Sequence, residues 1–324
     1  MPLEPHTLAS TINKVQVIAG LVLLAVLLIA FYRSGHLRRA FVFPPAAPNT
    51  LTGAHLLLVL AVFYAAMLLV SSILQTARPA PPPPPATAPT ETRPTEGPEG
   101  SASQPSAPTS EPSDTQPAAP KPDDNVFKLV VHGTTEVIVL AVILNLVLST
   151  FAGGLAGLGL RIDRLGRDLF WALVGYLAFW PICAGIAEGA TWLLNVLIPS
   201  WTPPHHKVLV FLEEPGLSLL WGMLAWVLAG LIAPIFEEVL FRGLLLTWVR
   251  KASDSTWLAI VLSGLAFGVI HVPQWHLVPA LTALGLLLGY LYARTGSLTL
   301  VILFHAIVNL RTLILTALAG ESSP

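Results

Sequence analysis

The stretch LSLLWGMLAWVLAGLIAPIFEEVLFRGLLLTWV, which runs from Leu217 to Val249, decides the fold, because it is apolar over more than the length that crosses a bilayer. A membrane-spanning helix needs about 20 apolar residues. The same stretch carries two adjacent carboxylates, Glu237 and Glu238, and one guanidinium, Arg242. An ionised side chain at the centre of a membrane costs roughly 3 kcal/mol on insertion scales, so these residues predict a functional site.

The composition of the whole chain is typical of a polytopic membrane protein. Of its 324 residues, 54% are hydrophobic and 11% are charged, whereas soluble domains contain about 25% charged residues. The formal net charge of −1 gives no reason to expect a nucleic-acid partner. Because Cys183 is the only cysteine, the chain can form neither an internal disulfide nor a metal site built from several thiolates.

Apolar segments along the chain predict an all-α transmembrane bundle of about eight spans. Basic residues follow the first, third, fifth and seventh of these segments. Lysine and arginine mark cytoplasmic loops, so we expect both termini to lie outside the cytoplasm. The expected location is a bacterial plasma membrane. The predicted spans cover residues 15–32, 56–74, 137–160, 169–198, 217–249, 257–272, 277–293 and 297–318.

A proline-rich segment, residues 78–125, divides the chain into its predicted parts. It contains no aromatic and no large aliphatic residue, so it cannot bury a core, and we expect a disordered extracytoplasmic linker. Residues 1–77 are predicted to form a two-helix membrane hairpin. Residues 126–324 are predicted to form a six-span body, with its motif-bearing core at about 169–318.

The two adjacent glutamates are predicted to differ in their surroundings. Glu238 and Arg242 are i,i+4 partners on a helix, with the acid nearer the N-terminus, which is the favourable order for a salt bridge. Glu237 points about 100° away from Glu238 and has no cation within its own helical turn. We therefore expect Glu237 to be free for general-base chemistry.

Two later apolar segments carry further polar pairs at i,i+4 spacing, Phe267 with His271 and His305 with Asn309. Either pair alone could serve only to hold helices together. At about 1.5 Å per residue, however, Glu237 and His271 lie ~20 and ~21 Å from the cytoplasmic ends of their segments. His305 and Asn309 lie ~12 and ~18 Å from the start of theirs. These side chains can therefore meet at a similar depth.

A glutamate, two histidines and an asparagine at one depth suit peptide hydrolysis. A carboxylate and an imidazole can deprotonate a water molecule, or hold a metal ion that lowers the pKa of that water. A second imidazole and an amide can donate hydrogen bonds to the oxyanion that develops. The sequence lacks the Gly-x-Ser-x-Gly and His-Glu-x-x-His motifs of other hydrolases.

These motifs resemble those of the CAAX prenyl endopeptidase family of intramembrane proteases, which also includes bacteriocin-processing proteins. The resemblance implies that Glu237 and His271 activate the attacking water and that His305 and Asn309 stabilise the oxyanion. It assigns structural support to three further residues. The motifs read Glu237-Glu238-x-x-x-Arg242, Phe267-x-x-x-His271 and His305-x-x-x-Asn309, and the supporting residues are Glu238, Arg242 and Phe267.

The resemblance leaves the cofactor open. It implies one divalent metal ion, with zinc the preferred candidate and Glu237, His271 and His305 as candidate ligands. Two imidazoles, a carboxylate and a water would complete the tetrahedral shell of zinc. A metal-free mechanism in which Glu237 activates the water is equally compatible with the same residues.

The function expected from this resemblance is that of an intramembrane metalloendopeptidase, with its dependence on metal left open. Its expected partners are the lipid bilayer and a membrane protein or lipidated peptide, prenylated or not, as substrate. Two alternatives come from other classes of protein. One is a catalytically silent membrane scaffold or immunity protein, and the other is a proton-coupled transporter. The sequence leaves the oligomeric state open.

Overall fold

A computed structural model describes residues 5–34, 40–76, 122–199, 201–202, 211–212 and 217–319, and this part of the chain is all-α, as predicted. Two π-helical segments, π1 (Leu228–Ile232) and π2 (Val239–Leu246), interrupt the stretch that carries the glutamates. The α-helices are α1 (Pro5–Arg33), α2 (Gly53–Thr76), α3 (Pro122–Thr150), α4 (Gly154–Gly157), α5 (Leu165–Leu197), α6 (Leu219–Val227), α7 (Ala233–Glu238), α8 (Thr247–Ser253), α9 (Thr256–Val269), α10 (Val278–Thr295) and α11 (Leu298–Ala319).

Within the described residues, seven helices are long and apolar enough to cross a membrane, one fewer than the eight predicted segments. The difference lies at α9, whose 14 residues are about 21 Å long and shorter than a bilayer core of about 30 Å. Its helix ends before Pro273, and a 3-10 turn, Val272–Leu277, leads into α10. The spanning helices are Thr7–Arg33, Gly53–Thr76, Asn125–Thr150, Ile162–Leu197, Leu219–Ser253, Val272–Thr295 and Leu298–Leu315.

The predicted linker, residues 78–125, lies outside the described residues except for its last four, 122–125. These four belong to α3, which begins at Pro122 with a proline in its first turn, where the missing N–H costs no helical hydrogen bond. The start of α3 therefore precedes the predicted start of the third span at Val137. As a consequence, Glu136 lies inside a spanning helix rather than in front of one.

The first two helices pack against the rest of the bundle at different places. Helix α1 packs against α5 and α11, and α2 packs against α3. Arg311 of α11 donates hydrogen bonds to the side chains of Gln16, at 3.2 Å, and Asn13 on α1. Its guanidinium lies 3.5 Å from the centre of the Trp180 ring on α5. These polar contacts join three helices within the apolar bundle.

Capping residues fix where the last helices begin and end. The Ser255 side chain accepts a hydrogen bond from the backbone N–H of Leu258 at 3.2 Å and starts α9. Gly296, at φ +62°, ends α10 in a left-handed conformation that favours glycine. The next residue, Ser297, donates a hydrogen bond to the buried carboxylate of Asp168 on α5. The start of α11, which carries His305, is therefore tied to α5.

Helices α9 and α10 approach each other backbone to backbone through glycines. A Cβ atom on Gly285 would lie 2.8 Å from the carbonyl oxygen of Gly264 and 3.2 Å from Cβ of Phe267. Each helix has a G-x-x-x-G pattern, Gly264 with Gly268 and Gly285 with Gly289, which allows close packing between membrane helices. This contact places Phe267 and the carbonyl group of Gly285 beside the second π-helical segment, π2.

We expect Gly285→Ala to lower the free energy of unfolding by about 1–3 kcal/mol, because the added methyl group would force the two backbones apart. Unfolding by denaturant in detergent, followed by tryptophan fluorescence, measures the change. The matched control is Gly185→Ala on α5, where a Cβ atom would meet nothing within 4 Å. Equal stability of the two variants would show that the glycine contact is not tight in the membrane protein.

Candidate active site

A buried salt bridge forms the centre of the site. The guanidinium of Arg242 donates to Oε1 of Glu238 at 2.9 Å, and both side chains are fully buried. Arg242 also donates to the carbonyl oxygen of Gly285 at 3.0 Å and lies 4.6 Å from the centre of the Phe267 ring. The predicted i,i+4 salt bridge is therefore confirmed, and it links π2 to α9 and α10.

His305 is held by the same carboxylate. Its Nδ1 lies 2.8 Å from Oε1 of Glu238, and the residue is 3% exposed. An ionised carboxylate can only accept hydrogen bonds, so the network assigns a proton to Nδ1. In a neutral imidazole, Nε2 then carries the lone pair. Glu238 thus does more than balance Arg242, because it also sets the orientation of His305.

Glu237 lies on the other side of the His305 ring. Its Oε2 is 3.9 Å from Nε2 of His305, which is too long for a direct hydrogen bond. This oxygen is buried and has no hydrogen-bond partner within the described part of the chain. Polar atoms at such a distance are often joined by a bridging water molecule. The geometry therefore places an oxygen acceptor and an imidazole nitrogen close to each other without a direct hydrogen bond.

The other predicted histidine, His271, bonds to its own helix. Its Nδ1 donates to the carbonyl oxygen of Phe267 at 2.8 Å, which leaves Nε2 as an acceptor in the neutral ring. The Phe267 ring contacts both imidazoles, with centroid distances of 5.1 Å to His271 and 5.4 Å to His305. Among the described residues, the histidine that comes within ion-pair range of Glu237 is therefore His305 rather than His271.

Side chains from neighbouring helices bond to carbonyl groups of the two π-helical segments, π1 and π2. Asn309 on α11 donates to the carbonyl oxygen of Ala229 in π1 at 3.0 Å. Ser263 on α9 donates to that of Phe241 in π2 at 2.9 Å. A π-helix displaces backbone carbonyls from the regular ladder and occurs often at functional sites. These bonds hold the widened backbone on both sides of α7, where the glutamates lie.

The predicted metal ligands do not come together as a group. Among the described residues, no three His, Cys, Asp or Glu side chains are arranged to hold a metal ion. Glu237 and His305 face each other, but the third candidate, His271, does not join them. Metal binding by these three residues stays a prediction.

Sequence reasoning missed several residues that shape the site. The carbonyl group of Gly285 accepts a hydrogen bond from Arg242, and the Ser263 hydroxyl donates one to π2. The G-x-x-x-G pattern of α10 could have pointed to Gly285. Glu136 was missed because the predicted third span began one residue after it. On α3 it interacts electrostatically with Glu237.

Comparisons with known proteins find a peptidase family over the segment that contains the three motifs. Residues 219–311, which contain all three, match the family model of the Type II CAAX prenyl endopeptidase Rce1-like proteins. A Bacillus subtilis (strain 168) protein named "Putative membrane peptidase YdiL" is 22% identical over 147 residues. That match covers 45% of this chain and 56% of the relative, so the chain spans little more than half of that protein's length. No solved structure matches the chain.

The predicted family resemblance is thereby confirmed for the segment that holds the site. The same segment contains the buried salt bridge, both imidazoles and both π-helical segments. Together with the seven apolar helices found among the described residues, these findings indicate an integral membrane protein whose residues 219–311 match the Rce1-like CAAX prenyl endopeptidase family.

Proposed function

We propose that this protein is an intramembrane endopeptidase that hydrolyses a peptide bond of a membrane-associated or prenylated substrate. The observation that carries the proposal is Oε2 of Glu237, which is buried, has no hydrogen-bond partner among the described residues and lies 3.9 Å from Nε2 of His305. An acceptor oxygen that is buried without a partner is costly and suggests a role in chemistry. The match to a peptidase family makes hydrolysis the chemistry to test.

In the proposed reaction, a water molecule bound by Glu237 transfers a proton to Oε2 while its oxygen attacks the substrate carbonyl carbon. His271 is assigned a supporting role beside this water, with Nε2 as a hydrogen-bond acceptor in the neutral ring. The carbon–nitrogen bond then breaks, and the departing amine takes up the proton from Glu237. General-base assistance of this kind contributes about 10²- to 10⁴-fold to a reaction rate.

The oxyanion that forms on the substrate is assigned to His305 and Asn309. Asn309 donates one amide hydrogen to the carbonyl oxygen of Ala229, and its second amide hydrogen is assigned to the substrate. His305 can donate from Nε2 only when this nitrogen is protonated, and Glu238, at 2.8 Å from Nδ1, holds the ring in position. Donors held in place before the reaction are the most effective stabilisers of an oxyanion.

The test is cleavage of defined membrane peptides by the purified protein in lipid vesicles. The panel pairs each prenylated peptide with the same peptide lacking the lipid, and mass spectrometry identifies the products. We expect hydrolysis at one bond, and the comparison within pairs shows whether the lipid is required. If the folded protein cleaves no member of the panel, a silent scaffold or a transporter becomes the better description.

A further inference from the structure

A third carboxylate lies near the proposed catalytic glutamate, on a helix outside the segment that matches the peptidase family. Helix α3 packs against π1 and α7. Gly133 is the point of close contact, since a Cβ atom there would lie 2.7 Å from the Leu228 side chain. Glu136 follows Gly133 by three residues and therefore lies on the same face of α3. This face brings Glu136 toward the helix that carries Glu237.

The same face continues into the core of the bundle. Leu140 and Ile143 follow Glu136 at helical spacing, and Ile143 is fully buried. Glu136 itself is half-buried and interacts electrostatically with Glu237. The residues that follow Glu136 on this face are apolar, and an ionisable side chain inside a spanning helix is a candidate functional residue.

The carboxylate of Glu136 lacks a cationic partner among the residues that the structure describes. Within the described residues, no ion pair or hydrogen bond joins its carboxylate to a basic side chain, and Arg242 is already bound to Glu238 and Gly285. Among the described residues, neither Glu136 nor Glu237 therefore has a basic side chain of its own to neutralise it. Like charges repel strongly where water is scarce. A ligand that brings a positive charge would relieve this repulsion.

A second polar group beside Glu136 also lacks a partner. Thr135 is 1% exposed, and its hydroxyl has no hydrogen-bond partner within the described part of the chain. Among the described residues, Oε2 of Glu237, Oε2 of Glu238 and Nε of Arg242 are also buried without a hydrogen-bond partner. Buried polar atoms are seldom left unpaired, and a bound ligand is one way to satisfy them.

We propose that Glu136 is a specificity-determining residue that binds a lysine or arginine side chain of the substrate close to the scissile bond. This inference rests on the proposed peptidase function, because it assigns the charge of that enzyme's substrate. A positive side chain would pair with Glu136 and offset the repulsion between Glu136 and Glu237. A neutral or acidic side chain at the same position would not.

The test uses peptides that differ at one position only, carrying lysine, glutamine or glutamate near the cleaved bond. For the wild-type protein, we expect kcat/KM to be at least about tenfold higher with lysine than with glutamine, the size expected for one charge pair in a largely dry site. Glu136→Gln should remove this preference, and Glu136→Lys should reverse it in favour of glutamate. Reversal by an exchange of charges is an effect that damage to the fold cannot produce.

Glu188→Gln is the matched control, because Glu188 is also a glutamate on a spanning helix but is exposed. It should keep the wild-type preference for lysine. Equal cleavage of the lysine and glutamine peptides by the wild-type protein, or an unchanged preference in Glu136→Gln, would overturn the inference.

Binding of the fluorescently labelled lysine and glutamine peptides to the wild-type protein, measured by anisotropy, separates the two proposals. A charge-dependent affinity that Glu136→Gln abolishes supports the role of Glu136 even if no peptide is cleaved, and in that case only the peptidase proposal fails. If the peptides are cleaved without any dependence on their charge, the peptidase proposal stands and the role of Glu136 fails.

Discussion

Replacing Glu237 by glutamine is expected to lower the rate of peptide hydrolysis by about 10²- to 10⁴-fold, the contribution of a general base. Glutamine has nearly the shape of glutamate but cannot take a proton from water. Because Glu237 takes part in no short hydrogen bond within the described residues, the variant should fold like the wild type. Cleavage of the peptide panel, measured beside thermal unfolding, checks both expectations.

The control for this substitution is Glu188→Gln, which removes a carboxylate from another spanning helix at an exposed position. Its cleavage rate should equal that of the wild type. A folded Glu237→Gln variant that cleaves at the wild-type rate would exclude Glu237 as the base and leave His271 as the candidate base.

Removing the guanidinium of Arg242 is expected to cost about 3–5 kcal/mol of stability, because Glu238 would remain as a buried charge without its cation. In the Arg242→Met variant, the carbonyl group of Gly285 also loses its donor. The double variant Glu238→Gln with Arg242→Met should recover a large part of the loss, since it removes both charges together. Denaturation in detergent, analysed as a double-mutant cycle, gives the coupling energy.

An exposed ion pair of the same chain provides the comparison. Arg164 and Asp163 lie 3.8 Å apart, with side chains 43% and 70% exposed. Arg164→Met should change the stability by less than about 1 kcal/mol, as is typical of surface pairs. A loss of similar size in Arg164→Met and Arg242→Met would contradict the view that burial makes the Arg242 pair important.

Local patterns made some parts of the site predictable. The salt bridge between Glu238 and Arg242 follows from i,i+4 spacing on one helix, and it forms as expected. Apolar length and composition predicted the all-α membrane bundle in the same way, because backbone groups in lipid must be bonded within helices. Spacing within three separate helices also predicted the family motifs that residues 219–311 match.

Other parts depended on where helices begin and end, which hydropathy resolves poorly. The apolar run 257–272 was expected to span, yet α9 ends at Val269 because the chain turns ahead of Pro273. The third span was expected to begin at Val137, yet α3 begins at Pro122 and therefore includes Glu136. In both cases, polar or breaking residues at the boundary decided the outcome.

The sequence by itself determined the class of the protein and the set of polar residues it carries into the membrane, because the cost of burying charge is local and can be read from one helix at a time. Only the tertiary structure decided which of these residues meet. It placed His305 between Glu238 and Glu237, left His271 on its own helix, and brought Glu136 from α3 toward the site. These contacts join residues far apart in the chain, and their geometry depends on helix packing, such as the close approach of Gly264 and Gly285, which no local pattern specifies.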